Sequence, residues 1–582
     1  MPIRFAHLHC HSRYSITDAM PSPKDYATFV NKYNDGCGKY EVCGLAITDH
    51  GVVSGIVSQY EAFKDGKVTP IYGCEVYHCM DVNNNPNKDR YHMVLLAMNE
   101  TGLKNLYKIA SHGGLNVIKG KTKVFPVTDI KYIMSHAEGL VCLTACVAGF
   151  IPSLAIKGEL DRAVKCLEIM KKAFNGRVYI ELQPHEFDDQ LKANANLVEL
   201  AKRTGLKTVM TCDSHYLRET DSQYHDILKD ISHQKHFDAK AYLRSPEELE
   251  EYCKKHSLPL ECLANTAEVM DLCTNCNPKP EDHRALLPVF PVPEGYTPDE
   301  YLREKTFEML PIKLAVNNVQ DPERYYKQAL YELDIICGAG FASYFLILWD
   351  WFEWCRSADI LCGPGRGSAA GSIISYALNI TKVDPIKNGF FFERFLNKER
   401  MEFPDIDTDI PRDRRADAIK YLLGKYGKEN VSQIVTFGKY KLKNTLKAIL
   451  SSQGCPFPEQ NAITKTIPDM VDGKEVTFEL IEKYIKAPEN PDFSSLSANE
   501  RKELEKAWNT LQDTFKKYPI AYDGIKNVCG CYSNTGIHAG GVIICSKPIN
   551  ENGQIMMSSD KAVLPVLQFE MHDLDYFGFL KV

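Results

Sequence analysis

FAHLHCHSRYSITD, residues 5–18, puts His9 and His11 two positions apart at the end of the chain's first apolar run. On an extended strand, side chains at i and i+2 point to one face, so both imidazoles are predicted to share a side. Asp18 follows after a short loop. The pattern returns downstream: LAITDHG (45–51) ends in His50, GCEVY (73–77) carries Glu75, and TCDSHY (211–216) carries Asp213 and His215. Helix-patterned stretches such as LDRAVKCLEIMKKAF (160–174) and QLKANANLVELAKRTG (190–205) lie between the short apolar runs. This alternation over 1–275 predicts βα units, and so a parallel sheet or barrel. In a βα barrel the C-terminal strand ends converge on one face, where sites are built. A single HxH is more often a packed or surface pair. Its recurrence with Asp and Glu at successive strand ends predicts a metal site instead. That donor set suits zinc, manganese or iron, and carboxylates can bridge two ions about 3.5–4 Å apart.

The rest of the chain sets the bounds. Its 582 residues predict about three to five domains. Charged residues nearly balance, 69 basic against 76 acidic, for a net charge of −7; a small dedicated nucleic-acid binder would be basic, but a large enzyme can keep a local basic track, so the balance excludes little. No run approaches the ~18–20 apolar residues of a membrane span. The start, MPIRFAHLHCHSRYS, lacks the basic-then-apolar order of a secretion signal. The 20 scattered cysteines read as reduced thiols, and CTNC (273–276) as structural. A cytoplasmic protein is expected.

CNPKPEDHRALLPVFPVPEGYTP (276–298) is the most credible linker. Beyond it LCGPGRGSAAGSIISYAL (361–378) reads as a strand end, a Gly-rich turn and a helix. Such a turn brings backbone N–H groups close to phosphate, and a helix N-terminus adds favourable partial charge. Arg366 and Ser368 add a guanidinium and a hydroxyl; a merely tight turn is the alternative. In PDIDTDI (404–410) Asp405, Asp407 and Asp409 recur at period two, predicting three carboxylates on one strand face. Like charges so close call for a cation such as Mg²⁺, and flanking Phe403, Ile406 and Ile410 argue against an exposed acidic edge. Lys439, Lys443 and Lys447 at i, i+4 and i+8 predict one basic stripe along a helix, suited to a DNA backbone.

LHCHSRYSITD, ITDHG, GCEVY and CDSHY resemble the motifs of the polymerase-and-histidinol-phosphatase (PHP) family of metal phosphoesterases. The resemblance implies a distorted barrel of seven βα units with up to three metals. Its ligands would be His9, His11, Asp18, His50, Glu75, His92 of RYHMVLLA, Cys146 of LTACVAG, Asp213 and His215.

GPGRGSAAGS, FFERFLNKER, PDIDTDI, VSQIVTFG and HAGGVIIC, in this order, are similar to the C-family replicative DNA polymerases, whose architecture also includes an amino-terminal PHP region. The resemblance spans essentially the whole chain. It implies an α/β and α+β multidomain protein: a PHP domain over 1–285, a nucleotidyltransferase-type palm over 286–435 and 523–582, and a helical thumb inserted over 436–522. Asp405 and Asp407 would hold the catalytic Mg²⁺ ions. Arg366, Gly367 and Ser368 would form the triphosphate loop, with Arg394 and Lys581 also facing the nucleotide and the lysine stripe on DNA. In SNTGIHAGG, Ser533 and Ile537 depart from the basic residue relatives often carry there. The implied partners are primer–template DNA, deoxynucleotides and, through further domains, a sliding clamp, in a bacterial cell or a phage-infected host. The family places its third catalytic aspartate just after the Lys581 position, so a split or truncated chain with a separate carboxy-terminal polypeptide is expected. The PHP metals, zinc, manganese or iron, would support 3′→5′ exonuclease proofreading. A free-standing PHP phosphoesterase with a non-catalytic appendage, or a non-catalytic scaffold, are the competing readings.

Overall fold

Four helix starts show how local sequence builds this chain. Ser22-Pro-Lys-Asp25, Ser245-Pro-Glu-Glu248 and Thr297-Pro-Asp-Glu300 each form a reciprocal capping box with proline in the first turn, and Asp321-Pro caps a fourth helix from one side. The side-chain oxygen satisfies an orphan amide while proline supplies the helical φ. The computed structural model describes residues 2–36, 38–120, 124–236, 239–280, 284–397, 404–557 and 564–582. They divide into two compact units, Met1–Pro278 with Thr436–Gly536, and Lys279–Val435 with Ile537–Val582. The first division falls inside the Pro-rich segment 276–298, seven residues ahead of the expected 285.

In the first unit the strands are β1 (Ile3–His7), β2 (Tyr40–Ile47), β3 (Thr69–Cys79), β4 (Tyr91–Ala97), β5 (Val117–Lys119), β6 (Val124–Asp129), β7 (Leu140–Leu143), β8 (Val178–Leu182) and β9 (Thr208–Met210). Their order is β1-β2-β3-β4-β7-β8-β9, with β5 and β6 a side hairpin on β3. The sheet curls until the segments after β1 and β9 meet: Cys10 bridges Ser214, and His11 N donates to Ser214 O at 2.7 Å. Seven strands around the curl agree with a distorted barrel, but the sheet is not all parallel. β4 runs antiparallel to β3 and β7 because residues 80–90, between β3 and β4, contain no crossover helix. Ala6, Leu8, Ile71, Val94, Leu143 and Val209 form a fully buried core.

The helical segment after 436 belongs to this unit and is not a free-standing domain. Helices Leu442–Ser452 and Ile520–Val528 pack on helix Ser222–Ile231, where Leu228, Leu446, Leu450 and Ile525 share one buried cluster. A small hairpin, β11 (Met470–Val471) with β12 (Lys474–Glu475), caps it, following β10 (Val431–Lys439). The segment returns to the second unit at 536/537, fourteen residues beyond the expected 522.

The second unit surrounds a five-stranded sheet in the order β14 (Ile555–Met556), β15 (Val566–Leu567), β10, β13 (Tyr532–Ile544) and β16 (Leu580–Lys581). β10 pairs parallel with β15, while β13 pairs antiparallel with β16 through Ile543–Lys581 and Ile544–Leu580. Helices Pro298–Val316, Pro322–Gly338 and Ala342–Ser357 cover it, burying Leu333, Phe345, Ile373 and Ile544 together. Among the described residues no single helix is long and apolar enough to cross a membrane.

Candidate metal centre and phosphate loop

All nine expected PHP ligands converge on one buried cluster, although not all from strand ends. β1 stops at His7, so His9 and His11 stand on the extended segment beyond it, clamped by the Cys10–Ser214 bridge. Glu75 lies inside the long β3, and His92 reaches it from the neighbouring β4. Asp213 adopts a left-handed φ of 48° just after β9, which turns its carboxylate inward.

Glu75 is the hub. One carboxylate oxygen lies 2.8 Å from His92 Nδ1, 3.5 Å from His9 Nε2 and 3.7 Å from Cys146 Sγ; the other lies 2.7 Å from His50 Nδ1 and 3.6 Å from His11 Nε2. Asp213 Oδ1 is 3.1 Å from His11 Nε2, 3.3 Å from His9 Nε2 and 3.7 Å from His215 Nδ1. Asp18 Oδ2 is 3.5 Å from His50 Nε2. His9 and His11 bring their Nε2 atoms to 3.1 Å. Three overlapping triads, His9/His11/Glu75, His11/His50/His215 and His50/Glu75/His92, each hold their donor atoms within 4.8 Å.

The protonation states suit metal binding. Burial pushes His215 down to about 4, and burial with its neighbours His50 and His215 holds His11 well below the ordinary histidine value. Burial opposes charge on Glu75 and Asp213, but the histidines outweigh it: His92 and His9 hold Glu75, and His9 and His11 hold Asp213, well below the usual carboxylate range. Neutral His11 and His215 beside ionised carboxylates suit a cation, whereas His9 must give up a proton before its Nε2 can ligate one. Buried Glu75 Oε2 and Asp213 Oδ1 accept no well-aligned hydrogen bond, so the donor set fits zinc, manganese or iron.

Sequence reasoning missed the groups that orient these ligands. Glu181 Oε1 lies 2.6 Å from His9 Nδ1 and accepts from Thr211 Oγ1 at 2.5 Å and Gln183 Nε2 at 3.0 Å. Burial works against charge on His9, yet Asp213, Glu181 and Glu75 raise its pKa to about 10. Ser15 Oγ lies 3.0 Å from His11 Nδ1 and donates to Asp49 Oδ1 at 2.6 Å. Lys229, nearly fully buried, pairs with Asp18. Glu181 was findable, since VYIEL sets an acid within an apolar run as GCEVY does. Lys229, on a helix far along the chain, carried no signal.

In the second unit the carboxylate segment differs from expectation. Residues 404–410 form no strand; Ile406 N bonds Tyr344 Oη at 3.0 Å, and Asp409 O accepts from Gly363 N at 2.9 Å. These isolated bonds replace a ladder. The alternation survives: Asp405, Asp407 and Asp409 are exposed while Ile406 is buried. Phe403 lies outside the described residues. Arg366 approaches Asp407 at 3.4 Å and Asp409 at 3.6 Å, and Lys581 approaches Asp405 at 3.7 Å. The two expected metal-holding carboxylates thus face two expected nucleotide-facing cations, a set that fits a hard divalent ion.

The Gly-rich loop is also corrected. No strand precedes it, and it leads into a 3-10 turn, Gly367–Gly371, then a five-residue helix, Ile373–Ala377. That helix cannot receive phosphate at its N-terminus, because the buried Glu332 carboxylate already accepts from Ile373 N and Ile374 N at 3.1 and 3.3 Å. Of the expected triphosphate loop, the Arg366–Ser368 stretch stays exposed. Arg394 ends the short turn Phe392–Arg394, which abuts the loop at Gly371, where a Cβ would lie 2.8 Å from Phe391 O. The lysine stripe does not form on one helix. Lys439 ends β10, with its ammonium 5.5 Å from the Tyr532 ring centre, whereas Lys443 and Lys447 share helix Leu442–Ser452 and Lys443 pairs with Asp469 at 2.6 Å. The β-branched and aromatic residues of VSQIVTFG extend the strand to 439.

The curled sheet and its ligand cluster define a PHP domain, and residues 7–185 match the model of that family. Residues 300–582 match the bacterial DNA polymerase III alpha NTPase domain. In these two segments the chain is similar to the bacterial DNA polymerase III alpha family. It is 32% identical to the DNA polymerase III subunit alpha of Aquifex aeolicus over 99% of its own length and 51% of that protein. The corresponding Borreliella burgdorferi protein is 33% identical, over 100% of this chain and 48% of that one. That of Thermus aquaticus is 30% identical, over 100% and 50%. The chain spans about half the length of the curated relatives it matches.

Proposed function

We propose that this chain carries the nucleotidyl-transfer centre of template-directed DNA synthesis, acting in the bacterial cytoplasm on primed template and deoxynucleotides. The observation that carries the reading is the opposition of Asp405 and Asp407 to Lys581 and Arg366, within a segment of the polymerase III alpha family. Asp405 and Asp407 would hold Mg²⁺, which when bound assists deprotonation of the primer 3′-hydroxyl and offsets charge on the transferred phosphoryl group. Arg366, with the Gly367 and Ser368 amides, orients the triphosphate, and Lys581 and Arg394 add positive charge beside it. The primer oxygen forms a bond to the α-phosphorus and pyrophosphate leaves. Template pairing selects the base.

The reading is tested by primer extension on a labelled primer–template with Mg²⁺, using this chain alone and supplied with the remaining half its relatives contain. Asp405→Ala or Asp407→Ala abolishes nucleotide addition without changing the fold; full extension by either variant sinks the assignment.

The buried PHP cluster favours a second activity, metal-dependent hydrolysis of a phosphodiester at the primer 3′ end. His9, His11, His50, Glu75, Asp213 and His215 would hold the ions there. Glu181 and Ser15 fix the ring orientations of His9 and His11. Labelled primer shortening by the wild-type chain, lost in Asp213→Asn, is the expected outcome.

A further inference from the structure

Glu332 is a buried carboxylate that neither site uses. It sits on helix Pro322–Gly338, is 0% exposed, and accepts from Ser372 Oγ at 2.8 Å, Ile373 N at 3.1 Å, Ile374 N at 3.3 Å and Gln328 Nε2 at 3.0 Å. Burying a carboxylate is costly unless hydrogen bonds repay it. Here they converge from the segment that follows the Gly-rich loop. At the other end of the same short helix, Lys313 Nζ donates to Tyr376 O and Asn379 Oδ1, both at 2.6 Å. The negative group lies at the helix start and the positive group at its end, the signs the helix dipole favours.

The loop is referenced to this clamped segment on both sides. Ser372 N donates to Ala369 O at 3.2 Å, tying the 3-10 turn to the cap. Lys382 N donates to Pro364 O at 2.8 Å, and Lys382 Nζ to Cys362 O at 3.0 Å, fixing the start of the loop. Gly365, at φ +92°, lies so close to Thr381 that a Cβ would meet its methyl at 2.7 Å. Ser372 already caps Ser375 N, so a helix of this length needs no carboxylate for ordinary capping.

We propose that Glu332 is the positioning residue of the Gly-rich loop: by holding Ser372–Ile374 it fixes where Arg366 and the Gly367–Ser368 amides stand for a nucleoside triphosphate. The inference rests on the phosphate-loop reading above. The whole chain is titrated with a fluorescent deoxynucleoside triphosphate and with the matching monophosphate in Mg²⁺, alongside melting curves. Glu332→Ala weakens triphosphate binding by roughly tenfold or more while monophosphate binding stays unchanged. Glu332→Gln, which keeps an acceptor oxygen, recovers part of that loss. Should Glu332→Ala fail to fold, Ser372→Ala and Glu332→Gln carry the test, with a shift of about threefold expected from each. Unchanged triphosphate affinity in folded variants, or an equal loss for both nucleotides, overturns the positioning role. A wild-type chain that binds triphosphate no more tightly than monophosphate overturns the phosphate-loop reading itself, and the positioning role with it.

Discussion

Glu181 makes no expected metal contact, yet it lies 2.6 Å from His9 Nδ1 and so orients the ring with Nε2 toward Glu75 and Asp213. Removing such a partner commonly costs about 10–100-fold in metal affinity. Glu181→Ala should therefore lose metal to a chelator at lower concentration than wild type, measured by metal analysis after dialysis, with the melting curve of the metal-free protein less affected. Equal retention would show that His9 needs no orienting partner. His78 predicts the acid behaviour. Burial pushes its pKa from 6.5 down to about 3, and both ring nitrogens are buried without a hydrogen bond. The unfolded chain takes up the proton near 6.5, whereas the fold resists until about 3. Stability present above pH 6.5 is therefore lost as pH falls through that window, by up to roughly 5 kcal/mol. His78→Phe should leave stability at pH 8 unchanged or raised and flatten the acid limb of melting temperature against pH. An identical limb would assign acid sensitivity elsewhere, His7 being the next buried histidine with a value pushed to about 3.

Elements were legible where period and punctuation agreed and illegible where tertiary contacts decided. LAITDHG read correctly as the end of a strand, β2, because its apolar run is bounded by polar residues. PDIDTDI kept its period-two exposure but not its strand, since its neighbour is the irregular Gly-rich loop and no ladder partner is offered. The helix start after that loop looked like a phosphate site in sequence, and only the fold shows Glu332 occupying it from forty residues away. The lysine spacing misled for another reason: 3.6-residue arithmetic holds only within one helix, and the helix begins at Leu442. Lys443 and Lys447 still share a helix face. The double variant Lys443→Ala/Lys447→Ala should weaken duplex DNA binding by this chain and lower the log–log salt slope by about 1–2. The Lys439→Ala change is expected to act independently of that pair. An unchanged salt slope in the double variant would mark this face as ordinary solvated surface, with Lys443 engaged only by Asp469.

At the scale of the whole molecule, motif order led to the polymerase family whose model residues 300–582 match, whereas the division into units did not follow motif boundaries. Motifs mark chemistry; units are marked by shared apolar burial, which pairs residues hundreds of positions apart. The cluster joining Tyr224, Ile227 and Leu228 to Leu446, Ile449, Leu450 and Ile525 has no local sequence signature, because each helix shows only an apolar face and not its partner. Yet this packing makes 436–536 part of the unit that holds the candidate metal-ligand cluster. Tyr14, three residues beyond His11, extends the connection by packing its ring 5.5 Å from Phe437 and 5.0 Å from Tyr532. A fragment of residues 1–285, the domain suggested by sequence, would expose these apolar faces to water. Each fully buried leucine or isoleucine side chain so exposed costs about 1.5–3 kcal/mol. The fragment should therefore melt well below the first transition of the whole chain or associate through the bared surface, as read by circular dichroism and size-exclusion chromatography. Leu446→Ala in the intact chain tests the same contact more gently, with an expected loss of about 2–5 kcal/mol confined to the unit containing the metal cluster. If the 1–285 fragment is monomeric and melts with the whole chain, the helical segment contributes nothing to the PHP domain. The shared cluster would then be contact without coupling.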